Sequence, residues 1–144
     1  MAGDAAISTD FYLGADGETL RIATDDPDGL ATIEDCFRSL ASGRESEIAM
    51  HAVAGVEKSG FTSLHLRVGP DDLSPFRLDR IGRVKRGENS LLWIEAKDVW
   101  QDCVDMTKAL RKGDGPGHQY LAGGGDYGIQ ILLSYREGKP MGER

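Results

Sequence analysis

Cysteine is scarce in this chain: Cys36 and Cys103 are the only two, far apart and outside any C-x-x-C spacing. That excludes a disulfide framework and a zinc ribbon, and it predicts reduced, buried thiols. No apolar run is long enough to cross a bilayer, and Met1 to Asp10 carries neither a basic nor an apolar targeting segment, so a cytoplasmic protein is expected. Positive charge is also in short supply, with 17 Lys and Arg against 24 Asp and Glu and a formal net charge of −7. Nucleic acids and anionic membranes would be repelled, so neither is expected as a partner, whereas a basic protein would be attracted.

Local catalytic motifs are missing too. No serine stands in a G-x-S-x-G context, and Gly123-Gly124-Gly125-Asp126 lacks the Lys-Ser/Thr and the helix that a phosphate loop requires. Thr24 to Asp35 follows part of the oxygen spacing of a calcium loop, but it starts with Thr, places Pro27 fourth and follows a strand. Capping and the helix dipole account for its aspartates. No cofactor is expected. The sequence points away from an enzyme, although partners distant in sequence can still assemble a site.

What is present suits one domain over 1–144: 144 residues with 40% hydrophobic content bury a core without staples. Phe11 to Ile22 reads as a hairpin turning at Asp16-Gly17, which sets Leu13 opposite Leu20 and Phe11 opposite Ile22 on one face. Asp26 or Asp28 caps a helix whose stripe is Leu30, Ile33, Phe37 and Leu40, and Gly43 ends it. Ile48, Met50 and Ala52 alternate, as do Leu64, Leu66 and Val68, on either side of a turn at Glu57 to Gly60. Their register should have an even sum, which places His51 and His65 together on the opposite face.

The stretch 69–89 reads as a long charged loop, or hides a short strand around Ile81 to Lys85. Leu91 to Glu95 is a buried strand, and Asp98 with Gln101 has the form of a capping box for a helix with the stripe Val99, Cys103, Met106 and Leu110. His118 to Leu121 and Ile129 to Tyr135 are the last strands. The expected fold is α+β: an antiparallel sheet of about six to seven strands with two helices on one face, in the order ββαββ-βαββ. A shift of 67 residues lays Asp35-Cys36 on Asp102-Cys103, His51 on His118, and Leu64, Leu66 and Val68 on Ile131, Leu133 and Tyr135. Duplication and convergence both fit, since the helix-ending glycines do not align at that shift.

Three groups of residues are site candidates. His51 and His65, with His118 or an unnamed carboxylate, could hold a transition metal or serve acid–base chemistry; a half-exposed sheet face accounts for them as well. Arg77, Arg80, Arg83, Lys85 and Arg86 form a basic island that could bind a carboxylate or phosphate on a partner, or be a solvated loop. Trp93, out of phase with Leu92 and Ile94, and Trp100, at the margin of its helix stripe, suit interface anchors, although a covered face would also explain Trp93.

Leu92-Trp93-Ile94 before a helix, Gly117-His118-Gln119-Tyr120-Leu121, and Ile129 to Glu137 ending Leu133-Ser134-Tyr135-Arg136-Glu137 carry a resemblance. Over its last third the chain resembles small bacterial immunity-type and uncharacterised α+β proteins, in which an HxYL strand and a final VSxGE-like strand close an antiparallel sheet. The resemblance implies a protein that acts by binding, neutralising a toxin made beside it, and transfers no functional residue. A non-enzymatic binding protein with a basic partner is thus the leading expectation. A small enzyme or metal-binding protein on the His51/His65 face and a homo-oligomerising domain with an apolar face around Trp93 are the alternatives.

Overall fold

A computed structural model of the chain describes residues 6–14, 17–69, 77–79, 90–113, 115–122 and 130–137. Their elements are β1 (Ile7–Gly14), β2 (Gly17–Thr24), α1 (Pro27–Ser42), β3 (Glu47–Ala49), a 3-10 turn (Met50–Ala52), β4 (Val56–Ser59), β5 (Ser63–Val68), β6 (Arg77–Asp79), β7 (Ser90–Glu95), α2 (Lys97–Gly113), β8 (Gly117–Ala122) and β9 (Gln130–Tyr135). The fold is α+β with two helices, and none of the described helices is long and apolar enough to cross a membrane.

The single antiparallel sheet is corrected. Two mixed sheets form, one ordered β4-β1-β2-β9-β8 and the other β3-β5-β7-β6. β1 runs parallel to β4, β2 to β9 and β5 to β7. Alternation of side chains tells which face a residue takes and is silent about which strand lies alongside.

Two turns are corrected with it. The β1–β2 register sets Gly14 opposite Gly17 and Phe11 opposite Leu20, two residues away from the pairing expected around Asp16-Gly17. Both registers keep the same residues on the same face, so the apolar pattern does not choose between them. Glu57 to Ser59 belong to β4, which leaves the second sheet after the 3-10 turn and joins the first beside β1. β3 and β5 do pair with an even sum, Ile48 opposite Leu66. Within 69–89 the described strand is β6, antiparallel to β7; the strand expected at Ile81 to Lys85 lies outside the described residues.

α1 starts as its sequence dictates: the Asp26 side chain accepts from the Asp28 N–H at 2.9 Å, with Pro27 in the first helical position. It ends at Gly43, whose φ of 82° is a left-handed conformation and whose N–H donates to the Leu40 carbonyl. Gly29 lets this helix close on β2, where a Cβ would collide with the Thr24 hydroxyl. α2 begins differently from expectation. The Ala96 carbonyl accepts from the Val99 and Trp100 N–H groups, and Gln101 bonds to Asp105 in place of a capping box with Asp98. Asp98 lies in the first turn, where the helix dipole favours a carboxylate.

The topology repeats under exchange of β1-β2-α1-β3-β5 with β6-β7-α2-β8-β9, each unit giving one antiparallel strand pair to each sheet. Leu20–Ile131, Ile22–Leu133 and Thr24–Tyr135 in one sheet correspond to Leu91–Leu64, Trp93–Leu66 and Glu95–Val68 in the other. Leu30, Ile33, Phe37 and Leu40 correspond to Trp100, Cys103, Thr107 and Leu110, all buried. No constant shift relates the units. The 67-residue shift suits β5 and β9, but it misplaces the helices, and the counterpart of His118 is Glu47 rather than His51.

One cluster of buried side chains joins both helices to the apolar faces of both sheets. At its centre Trp93 and Trp100 have ring centroids 4.7 Å apart, with Phe37 5.8 and 5.7 Å from them. Such pairs add about 0.5–1.5 kcal/mol each beyond their buried area.

Candidate functional site

Past Gly43 the chain folds back along α1, held by the Glu45 N–H donating to the Ser39 carbonyl at 3.1 Å and by Arg44 bonding to the Ser39 hydroxyl. This sets Glu45, Glu47 and Ile48 facing Thr32, Asp35, Cys36 and Ser39 across a groove of about 410 Å³. The helical wall is one α1 stripe, since these residues recur at three- and four-residue intervals. Asp35 and Glu45 are exposed and have no ionic partner among the described residues. Burial, and then the charge of Asp35, push the Cys36 thiol up to about 11, so it stays protonated at neutral pH and is a poor nucleophile.

Glu47 belongs both to the groove and to the neighbouring outer face of the sheet. Arg67 Nε donates to its Oε1 at 2.8 Å, and His65 Nδ1 lies 2.9 Å from Oε2. The second approach is misaligned for a hydrogen bond, so it is an electrostatic contact. Chiefly through the Arg67 hydrogen bond, Glu47 titrates below the ordinary carboxylate range.

Register arithmetic correctly joined His51 and His65, whose rings meet edge to face with centroids 5.2 Å apart. His51 does so from the 3-10 turn rather than from a strand. Its Nδ1 accepts the Leu64 N–H at 3.1 Å, covering a β5 group that β3 no longer reaches. His118 is in the other sheet, 2.7 Å from Glu137, which also accepts from Ser134 at 3.0 Å. The three-histidine metal set is therefore corrected: its members sit against different partners, and no group of three His, Cys, Asp or Glu able to hold a metal occurs among the described residues.

Trp93 and Trp100 are corrected as partner anchors, because both are fully enclosed. Their indole N–H groups donate inward, to Glu95 Oε2 at 2.9 Å and to the Arg67 carbonyl at 3.2 Å. The face of β7 that carries Trp93 points to the core, while Leu92 and Ile94 lie half-buried on the other face, so the apolar surface expected around Trp93 is interior. Arg77 opens β6 opposite Ile94; Arg80, Arg83, Lys85 and Arg86 lie outside the described residues.

Sequence reasoning missed Asp35, Glu45 and Glu47. Odd parity with His65 and Arg67 could have found Glu47, whereas only the packing of α1 beside β3 brings in Asp35. A larger concavity of about 580 Å³ lies at the start of α1, lined by Ser8, Arg21, Thr24, Asp25 and Asp26 among others. Its central groups are already committed: Asp26 caps the helix, Thr24 donates to the Ala6 carbonyl, and Arg21 donates to Ser134 at 3.1 Å. No protein-family model, curated protein or solved structure matches this chain.

Proposed function

We propose that the chain acts by binding, without catalysis, a basic region of a partner protein, as an immunity-type protein neutralises a toxin. The groove between α1 and β3 carries this reading: Asp35 and Glu45 stand at its walls without ionic partners among the described residues, in a chain of net charge −7. An open anionic groove attracts lysine and arginine side chains, accelerates encounter at low salt, and loses that advantage as salt shortens the screening length. The resemblance of the C-terminal third supports the immunity role.

Co-purification with the products of adjacent genes, followed by a growth-rescue assay, tests it. A captured basic protein whose toxicity is relieved is the expected result, with both effects lost in the Asp35→Lys/Glu45→Lys double variant. No partner and no rescue, or rescue indifferent to the double variant, rejects the reading.

The meeting of His51, His65 and Glu47 favours a second reading, a small enzyme that uses that sheet face for acid–base chemistry. Glu47 would hold the His65 ring by electrostatic contact and leave its Nε2 to exchange a proton. Growth rescue separates the two: rescue lost in His65→Ala but kept in the Asp35→Lys/Glu45→Lys double variant would put the second reading first.

A further inference from the structure

We infer that the open edge of β3, walled by α1, takes an extended basic segment of the partner as an added strand. The inference rests on the binding reading and supplies its mode. Among the described residues β3 is a terminal strand of its sheet, with β5 on one side only. The Val68 N–H donates to the Ser46 carbonyl at 2.9 Å, so in the antiparallel ladder residues 46 and 48 direct their main-chain groups to β5. Glu47 and Ala49 direct theirs the other way. The Glu47 N–H and carbonyl and the Ala49 N–H have no hydrogen-bond partner among the described residues.

Glu47 lines the groove whose far wall is the Thr32, Asp35, Cys36 and Ser39 stripe of α1, and Ala49 continues the same strand edge. A slot between a strand edge and a helix accepts one extended chain, and its volume of about 410 Å³ is in the range of ligand sites. Main-chain pairing supplies affinity in such strand addition, and side chains at alternate positions supply specificity. An added strand would present one side-chain row toward Asp35 and the other toward Glu47. Both rows therefore favour arginine or lysine, with arginine also able to bond a carboxylate in two places.

A blocked seven-residue peptide, Thr-Arg-Val-Arg-Val-Arg-Thr, tests the inference against the isotope-labelled full chain by NMR. Binding should shift the Glu47 and Ala49 amides and slow their hydrogen exchange, and methylating alternate peptide nitrogens should weaken it about tenfold. Ala49→Pro should weaken it similarly, because proline removes the outward N–H; the site's φ of −85° and the extended Ile48 before it accommodate the ring. Binding that ignores methylation and leaves those amides unmoved overturns strand addition while the binding reading survives. If the peptide does not bind, strand addition is likewise overturned, and the growth-rescue assay then judges the binding reading on its own. If a peptide with glutamate in place of arginine binds equally well, or Asp35→Lys has no effect on either peptide, the acidic groove is not the recognition surface and both readings fall.

Discussion

Arg111 donates from Nη2 to Glu34 Oε1 at 2.6 Å, joining the last turn of α2 to the middle of α1 across 77 positions of sequence. Glu34 is 4% exposed, and Arg38 occupies its other oxygen. The carboxylate thus sits between two guanidinium groups that are each nearly half exposed.

Removing the carboxylate should cost more than removing either arginine. Glu34→Ala is expected to lower unfolding stability by about 1–3 kcal/mol, and Arg111→Ala by less, because Glu34 then keeps Arg38. Urea unfolding of both variants measures the order, and a larger loss for Arg111→Ala contradicts it.

His51 does structural work through Leu64. His51→Ala deprives the Leu64 N–H of its acceptor at the end of the β3–β5 ladder, with an expected cost of about 1–2 kcal/mol. His65→Ala, whose Nδ1 makes no aligned hydrogen bond, should change stability by about 0.5 kcal/mol or less. Equal costs in chemical denaturation would remove the distinction.

Both tryptophans are enclosed, so their fluorescence should be blue-shifted and resist quenching by acrylamide in the native state. Trp93→Ala should cost about 3–5 kcal/mol through lost burial and the cavity left beside Phe37 and Trp100. Strong quenching of the native protein would restore a surface role for one of them.

Thiol chemistry should follow burial. Cys36 is raised to about 11 and Cys103, more deeply buried, is raised further. Both should react slowly with a thiol reagent at neutral pH, Cys36 first, as Cys36→Ser and Cys103→Ser would show. A thiol whose folded pKa is raised supplies stability that is whole below its unfolded value, about 8.5, and is lost as pH climbs through the folded value. Stability should accordingly fall from pH 9 toward 11 and fall less in Cys36→Ser.

For Glu47 the sign reverses. A lowered folded pKa supplies stability above the unfolded carboxylate value, about 4.3, and loses it as pH falls through the folded one. Arg67→Ala, which removes the leading cause, should return Glu47 toward the ordinary carboxylate range in a titration followed by NMR. No movement would mean that His65, rather than Arg67, holds it down.

Local elements were largely legible because their causes are local. Asp26 and Pro27 start α1, Gly43 stops it, and both follow from backbone groups that only nearby residues can satisfy. Parity anticipated the meeting of His51 and His65, although His51 reaches it from the 3-10 turn, beyond the end of the pleated ladder. The groove was not legible. Asp35 and Glu47 meet across it because α1 packs beside β3, and nothing near either residue in sequence encodes that approach.

By itself, then, the sequence determined two helices, the phase of the strands it identified, a reduced-thiol interior and an acidic balance of charge. Tertiary structure alone decided that the strands divide between two mixed sheets, that β4 crosses to the first of them, that Trp93 and Trp100 are interior, and that among the described residues β3 ends its sheet beside α1. The physical reason is the range of the forces concerned. Capping, turn geometry and side-chain alternation act over a few residues, whereas parallel pairing, burial at a stripe margin and the exposure of a strand edge depend on which distant segment arrives alongside.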